Sequence, residues 1–149
     1  MTTYERLISE LGDGLGIALA PDADGIADLS VEDRLVTLRA DATGEHELTA
    51  FTDVASAPEG GFPPETLKRA LAMNLFGKEV VGHHLGLFAS TLYLSATIPI
   101  ADLQCENLAD RLLVLSRLAG TLSASLNDGA APASAAPATD DMPSSFRKV

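Results

Sequence analysis

Few residues in this chain are of a type that does chemistry, and their spacing does not assemble a site. Gly12, Gly14 and Gly16 make a Gly-x-Gly-x-Gly run. A dinucleotide-binding loop needs a preceding strand and a wider gap before its third glycine, and both are missing. Asp22, Asp24, Asp28 and Asp33 span about the twelve positions of an EF-hand loop. Position five of that loop would be Ile26, which brings no side-chain oxygen. Position six, which needs glycine, is Ala27, and the closing bidentate Glu is replaced by the shorter Asp33. The spacing therefore predicts a polar turn rather than a calcium site. His83 and His84 are adjacent, so they do not converge on one ion, and no further ligand stands at metal-site spacing. His46 lies between Glu45 and Glu47 beside a turn and reads as solvated. Cys105 opens a predicted helix, where the helix dipole would lower its pKa. A thiol enzyme would also need a histidine beside it, and none is near in sequence. No serine has the Gly-x-Ser-x-Gly context of a nucleophile elbow. The expectation is a protein without catalytic centre, metal or cofactor.

Composition points the same way. A chain of 149 residues is most simply one domain, large enough to bury about two thirds of its unfolded surface. A single cysteine excludes an internal disulfide and fits a reducing compartment. Asp and Glu number 21 against 10 Lys and Arg, a net charge of −11. That sign disfavours nucleic acid and anionic membrane as partners. It suits a protein that exposes apolar surface and must not aggregate. The opening Met-Thr-Thr-Tyr-Glu-Arg lacks the basic-then-apolar order of a signal peptide. No apolar run approaches the roughly 20 residues that span a bilayer. The expected location is the cytoplasm of the cell that makes it, with no membrane insertion.

The elements are legible from their periods. Tyr4, Leu7, Ile8, Leu11 and Leu15 share one face of a first helix over 3–15, with Thr2 or Thr3 as its cap. Three short alternating runs follow, at 26–31, 35–40 and 46–54, joined by turns at Glu32–Arg34 and Asp41–Glu45. Short turns between consecutive strands imply antiparallel hairpins. A second helix begins after Pro63 and Pro64 and ends at Gly77, with Leu67, Ala70, Leu71, Asn74 and Leu75 at steps of three and four. The period then switches to two, with Leu92, Leu94, Ala96 and Ile98 on one side and Tyr93, Ser95 and Thr97 on the other. A third helix over 103–126 carries Leu108, Leu112, Leu115, Ala119, Leu122 and Leu126 in an unbroken stripe, read as core packing against the sheet. From Asp128 to Val149, Ala, Pro, Ser and Asp dominate. Such a segment buries too little to offset its ordering entropy and is expected to be a disordered tail outside a domain of residues 1–127.

One combination goes beyond generic patterning. Asn74-Leu-Phe-Gly77 closes the second helix, Leu85-Gly-Leu87 opens a strand, and Leu92 to Leu103 runs through Ile98-Pro-Ile-Ala-Asp-Leu. With the order helix, three strands, helix, two strands, helix, this resembles the Tir-chaperone-like (class I) effector chaperones of bacterial type III secretion over about residues 3–127. Cys105, Phe88-Ala89 and the alanine-rich tail depart from the common pattern, and none removes a group that the family's function needs.

The resemblance implies an α+β fold of order α-β-β-β-α-β-β-α, with an antiparallel twisted sheet, helices packed against it, and a homodimer. It implies binding of the extended N-terminal region of a secreted effector, without ATP and without cofactor. Contact with the secretion-system ATPase comes with it. By resemblance the dimer seam falls at Leu71, Leu75, Phe76, Leu92 and Leu94, and the effector grooves at Leu7, Leu11, Leu15, Ile17, Leu29 and Phe51. Each of these also fits an ordinary core position. Two other readings stand beside it. A small α+β ligand-binding or regulatory domain of the same element order would show a closed pocket. A hydrolase or thiol enzyme would show a reactive thiol beside a base.

Overall fold

The computed structural model describes residues 1–76, 80, 82–127 and 146–148. In chain order the elements are α1 (Thr3–Leu15), β1 (Ile26–Val31), β2 (Arg34–Ala40), β3 (Glu47–Ser56), α2 (Pro64–Phe76), β4 (His84–Phe88), β5 (Thr91–Pro99), α3 (Cys105–Asn127) and β6 (Phe146–Lys148). The expected α-β-β-β-α-β-β-α order is present, with β6 added. The strands form one sheet in the order β4-β5-β3-β2-β1-β6, and each neighbouring pair is antiparallel. The tail expectation falls on residues 128–149. Of these, 128–145 and 149 lie outside the described residues, while Phe146–Lys148 pair with β1.

The core lies between one face of the sheet and the helices α1 and α3. Period-two alternation sends Ala27, Leu29, Val31, Val36, Leu38, Leu48, Ala50, Leu92, Leu94 and Ile98 to that face, where all are buried. The α3 stripe from Leu108 to Leu126 meets them, and Leu7, Ile8 and Leu11 of α1 close the layer. Polar groups inside it are partnered. The Tyr4 hydroxyl donates to Leu38 O at 3.0 Å, Ser116 Oγ to Val31 O at 2.8 Å and Thr52 Oγ1 to Leu35 O at 2.6 Å. Each ties a helix or a strand to the backbone of another element, which fixes register as well as burial. Burial pushes the Tyr4 phenol pKa up, and Asp22 and Asp28 push it further.

Local chemistry explains the ends and turns. Thr2 caps α1 in a capping box with Glu5, and Gly16 ends it in the left-handed region at φ 71°. Gly12 sits inside α1 because an added Cβ would lie 2.9 Å from both Ile17 O and Leu19 Cβ. β1 and β2 are joined by Glu32 and Asp33, both at positive φ (51° and 65°), the geometry of a two-residue hairpin turn. Asp41 organises the next turn. Its carboxylate accepts from Thr43 Oγ1 at 2.6 Å and from the amides of Thr43, His46 and Glu47 at 3.2–3.3 Å.

Candidate functional site

Two of the four aspartates of the supposed calcium loop are taken up by the fold itself. Asp22 Oδ1 accepts the amides of Asp24 and Ile26, both at 2.9 Å, which folds a turn. Asp28 Oδ1 accepts from Thr37 Oγ1 on the neighbouring strand at 2.6 Å. The reading of Cys105 needs correction. Its thiol pKa is raised, first by desolvation, then by a hydrogen bond and the charge of Glu106, and by Glu10. The direction is opposite to the lowering expected at a helix N-terminus, so the structure gives no sign of an activated thiolate there.

What the molecule offers instead is apolar surface. Seven large hydrophobic residues are exposed among the described residues: Met1, Leu35, Leu71, Leu75, Leu87, Phe88 and Val114. Four of the seven belong to α2 and β4, so the excess is local rather than scattered. Helix α2 is held to β4 by a side-chain fork. Asn74 Nδ2 donates to Leu85 O at 2.7 Å, and Asn74 Oδ1 accepts from Leu85 N at 2.7 Å. The other end of the contact is Arg69, whose Nη2 donates to Ser125 O at 2.9 Å in the last turn of α3, where a cation suits the helix dipole. With Ala70 turned inward at 3 % exposure, Leu71 and Leu75 point out, at 69 % and 73 %. Leu87 and Phe88 follow the pinned Leu85 on β4, exposed by 53 % and 76 %.

Two further grooves flank the β1–β2 side. One, of about 370 Å³, runs along the end of α1 past Ser9, Asp13, Ile17 and Leu19 to Asp28. The other, of about 320 Å³, lies on the sheet face that carries neither α1 nor α3, and is lined by Leu35, Thr37, Phe51 and Tyr93 among others. Phe51 and Tyr93 meet edge to face there, 6.0 Å between centroids at 85°. The Asp28–Thr37 hydrogen bond joins a residue of the first groove to one of the second.

The sequence-derived residues divide accordingly. Leu7, Leu11 and Leu29 are within 2 % of full burial and serve the monomer core, as do Leu92 and Leu94. Leu15 and Ile17 are partly buried against that core, with Ile17 on a groove, and Phe51 is half-buried in the other groove. Leu71 and Leu75 are at the surface. The side chain of Phe76 lies outside the described residues. Sequence reasoning passed over Leu35, Leu87, Phe88 and Val114 as surface residues. It also counted Asn74 within an apolar face without asking for its partner. A polar side chain in such a face needs one, and that was the available signal.

The family model described as Tir chaperone protein (CesT) family matches residues 6–123. No curated protein matches the chain. Among solved structures, the Yersinia pestis type III secretion chaperone SycH, in complex with a stable fragment of YscM2, is similar at TM-score 0.61 and 24% identity, covering 80% of this chain and 98% of that one. The HopA1–SchA chaperone–effector complex gives TM-score 0.66 and 19% identity, covering 81% and 93%. The ExsC–ExsE complex gives 0.66 and 23%, covering 80% and 90%.

Proposed function

We propose that this chain, which belongs to the Tir chaperone protein (CesT) family, works as a cytoplasmic, non-enzymatic homodimer that holds the N-terminal segment of a secreted effector in extended form. The domain of residues 1–127 does this without ATP, and residues 128–149 are an appendage to it. The observation that carries the reading is the placement of exposed apolar side chains. A monomeric domain that binds a small ligand would enclose its apolar residues in a pocket. Here Leu71, Leu75, Leu87 and Phe88 stand outward around the Asn74–Leu85 junction.

The magnitudes support a second copy as their cover. Burying a leucine is worth about 1.5–3 kcal/mol. Two leucines from α2 of each copy, each about 70 % exposed, give roughly 4–8 kcal/mol, within the roughly 4–15 kcal/mol that association costs. Leu87 and Phe88 add to that and tip the balance. A seam there leaves the Ile17 and Phe51 grooves free for the client. A client lying in both passes around β1 near Asp28, beside the short β6, which favours an extended strand over a folded ligand. The acidic surface, at net charge −11, keeps such a molecule soluble and repels stray copies. Holding the effector unfolded then needs no chemistry. Its apolar side chains are buried and its collapse is blocked until the secretion-system ATPase or another acceptor takes it.

The seam is tested by light scattering. The wild-type chain is expected at twice its monomer mass. Leu75→Asp places a carboxylate that would have to be desolvated in the seam, so the variant is expected as a folded monomer. A variant that keeps the dimer mass would move the seam away from α2.

A further inference from the structure

The two edges of the sheet are treated differently. At β4, the Asn74 side chain engages both the amide and the carbonyl of Leu85, so α2 stands where an added strand would pair. At the other edge, β1 offers its backbone, and the chain's own last strand occupies it. Leu29 stands opposite Lys148, Ser30 opposite Arg147 and Val31 opposite Phe146, antiparallel. This brings two of the 10 basic residues of an acidic chain to register positions between Asp28 of β1 and Glu32 of the following turn. The tail from Asp128 contains few large apolar residues, and the strand Phe146–Lys148 includes one of them, Phe146.

We propose that the β1 edge is a strand-docking site and that Phe146–Lys148 is its resident occupant, an internal competitor that an effector strand must displace. The inference rests on the chaperone reading above, because only an extended client has a use for that edge. The occupant also states the chemistry the edge accepts: an antiparallel segment with an apolar residue followed by basic ones. A strand of three residues is too short to hold by itself. It holds because it belongs to the same chain, which makes its docking intramolecular. That makes the occupancy reversible, and it covers an edge that would otherwise recruit other chains. An edge occupied about nine-tenths of the time weakens a competitor about tenfold, so the tail sets a threshold that weak, non-client strands do not pass.

The experiment compares the full chain with one ending at Ser145. Amide exchange at Leu29–Val31 is read first, in the absence of any client. The proposal expects faster exchange there in the shortened chain and none of that change in β4. A fluorescein-labelled peptide of residues 140–149 is then titrated into both proteins. It is expected to bind the shortened chain and to bind the full chain several-fold more weakly. Equal exchange in the two proteins, or no peptide binding by the shortened chain, overturns the proposal and leaves the chaperone reading in place. Finally, the protease-protected effector segment recovered with the full chain is expected to bind the shortened one more tightly, by up to about tenfold. Unchanged or weaker binding overturns the competition. Failure to recover any effector with either protein would count against the chaperone reading, and the exchange and peptide results would still decide whether the edge is a docking site.

Discussion

Replacing Asn74 by alanine removes a single amide group and, with it, both hydrogen bonds that pin α2 to β4. Each is 2.7 Å long and only partly buried, so water replaces part of what is lost. At about 1 kcal/mol for each such bond, the variant should lose about 2 kcal/mol. For a domain of roughly 150 residues this lowers the melting temperature by about 4–8 °C. Asn74→Asp is the sharper probe. The carboxylate still accepts from Leu85 N, but its second oxygen now faces Leu85 O, an acceptor against an acceptor. It should therefore destabilise at least as much as alanine despite being nearly the same shape. The assay is urea unfolding followed by circular dichroism at one fixed protein concentration, because a dimer's apparent stability depends on concentration. Since α2 carries Leu71 and Leu75, both variants should also weaken self-association. A stability within about 0.5 kcal/mol of wild type for both, the scatter of ordinary surface changes, would refute the role assigned to the fork.

Other predictions follow from single observations. Gly12 and Gly14 are two residues apart in α1 and should respond to alanine with opposite signs. Gly12→Ala meets backbone and a side-chain carbon at 2.9 Å, and overpacking exceeds the gain in helix propensity, for a net loss of about 1–2 kcal/mol. Gly14→Ala meets nothing within 4 Å and should gain about 0.5–1 kcal/mol; thermal melts of the two variants decide it, and equal shifts would contradict the packing. Asp41 is held well below the usual carboxylate range, first by the Thr43 hydroxyl and then by backbone amides, and Glu45 is lowered by Thr3. Their unfolded pKa values are about 4, so the stability they contribute is complete above that and is lost as pH falls below it. The wild type should therefore lose stability from about pH 5 downward, and Asp41→Asn should flatten that decline. Cys105, protonated at neutral pH, should react with iodoacetamide more slowly than free cysteine at pH 7.5, and a faster reaction would reopen the thiol-enzyme reading.

The elements were legible in the sequence because their determinants are local. The three-four spacing of α1 and α3, the period-two runs and the glycine and proline breaks all act within a few residues, and the elements they predict are present. Which apolar face meets which cover is a non-local matter. Leu7, Leu11 and Leu29 look in sequence just like groove residues, yet α3 and the sheet already cover them. In α2 one apolar face was expected, and the structure divides it. Ala70 turns inward, and Leu71 and Leu75 turn outward, because Asn74 sets the rotation of the helix through a strand eleven residues away. The Cys105 thiol pKa is raised first by desolvation, which depends on what packs around it, and then by the adjacent Glu106, with Glu10 of another helix adding less. For β6 the local signal was slight: the Phe146-Arg-Lys-Val149 ending fits a docking peptide as well as an idle tail, and Phe146–Lys148 become a strand only where β1 provides an edge.

The central claim is that this chain holds an effector. The most direct measurement is recovery of the tagged protein from the cell that makes it, with mass spectrometry and limited proteolysis of whatever is bound. The account predicts one secreted protein, protected from protease over an N-terminal segment, with two copies of this chain. A monomer carrying a bound small molecule and no protein partner would contradict it.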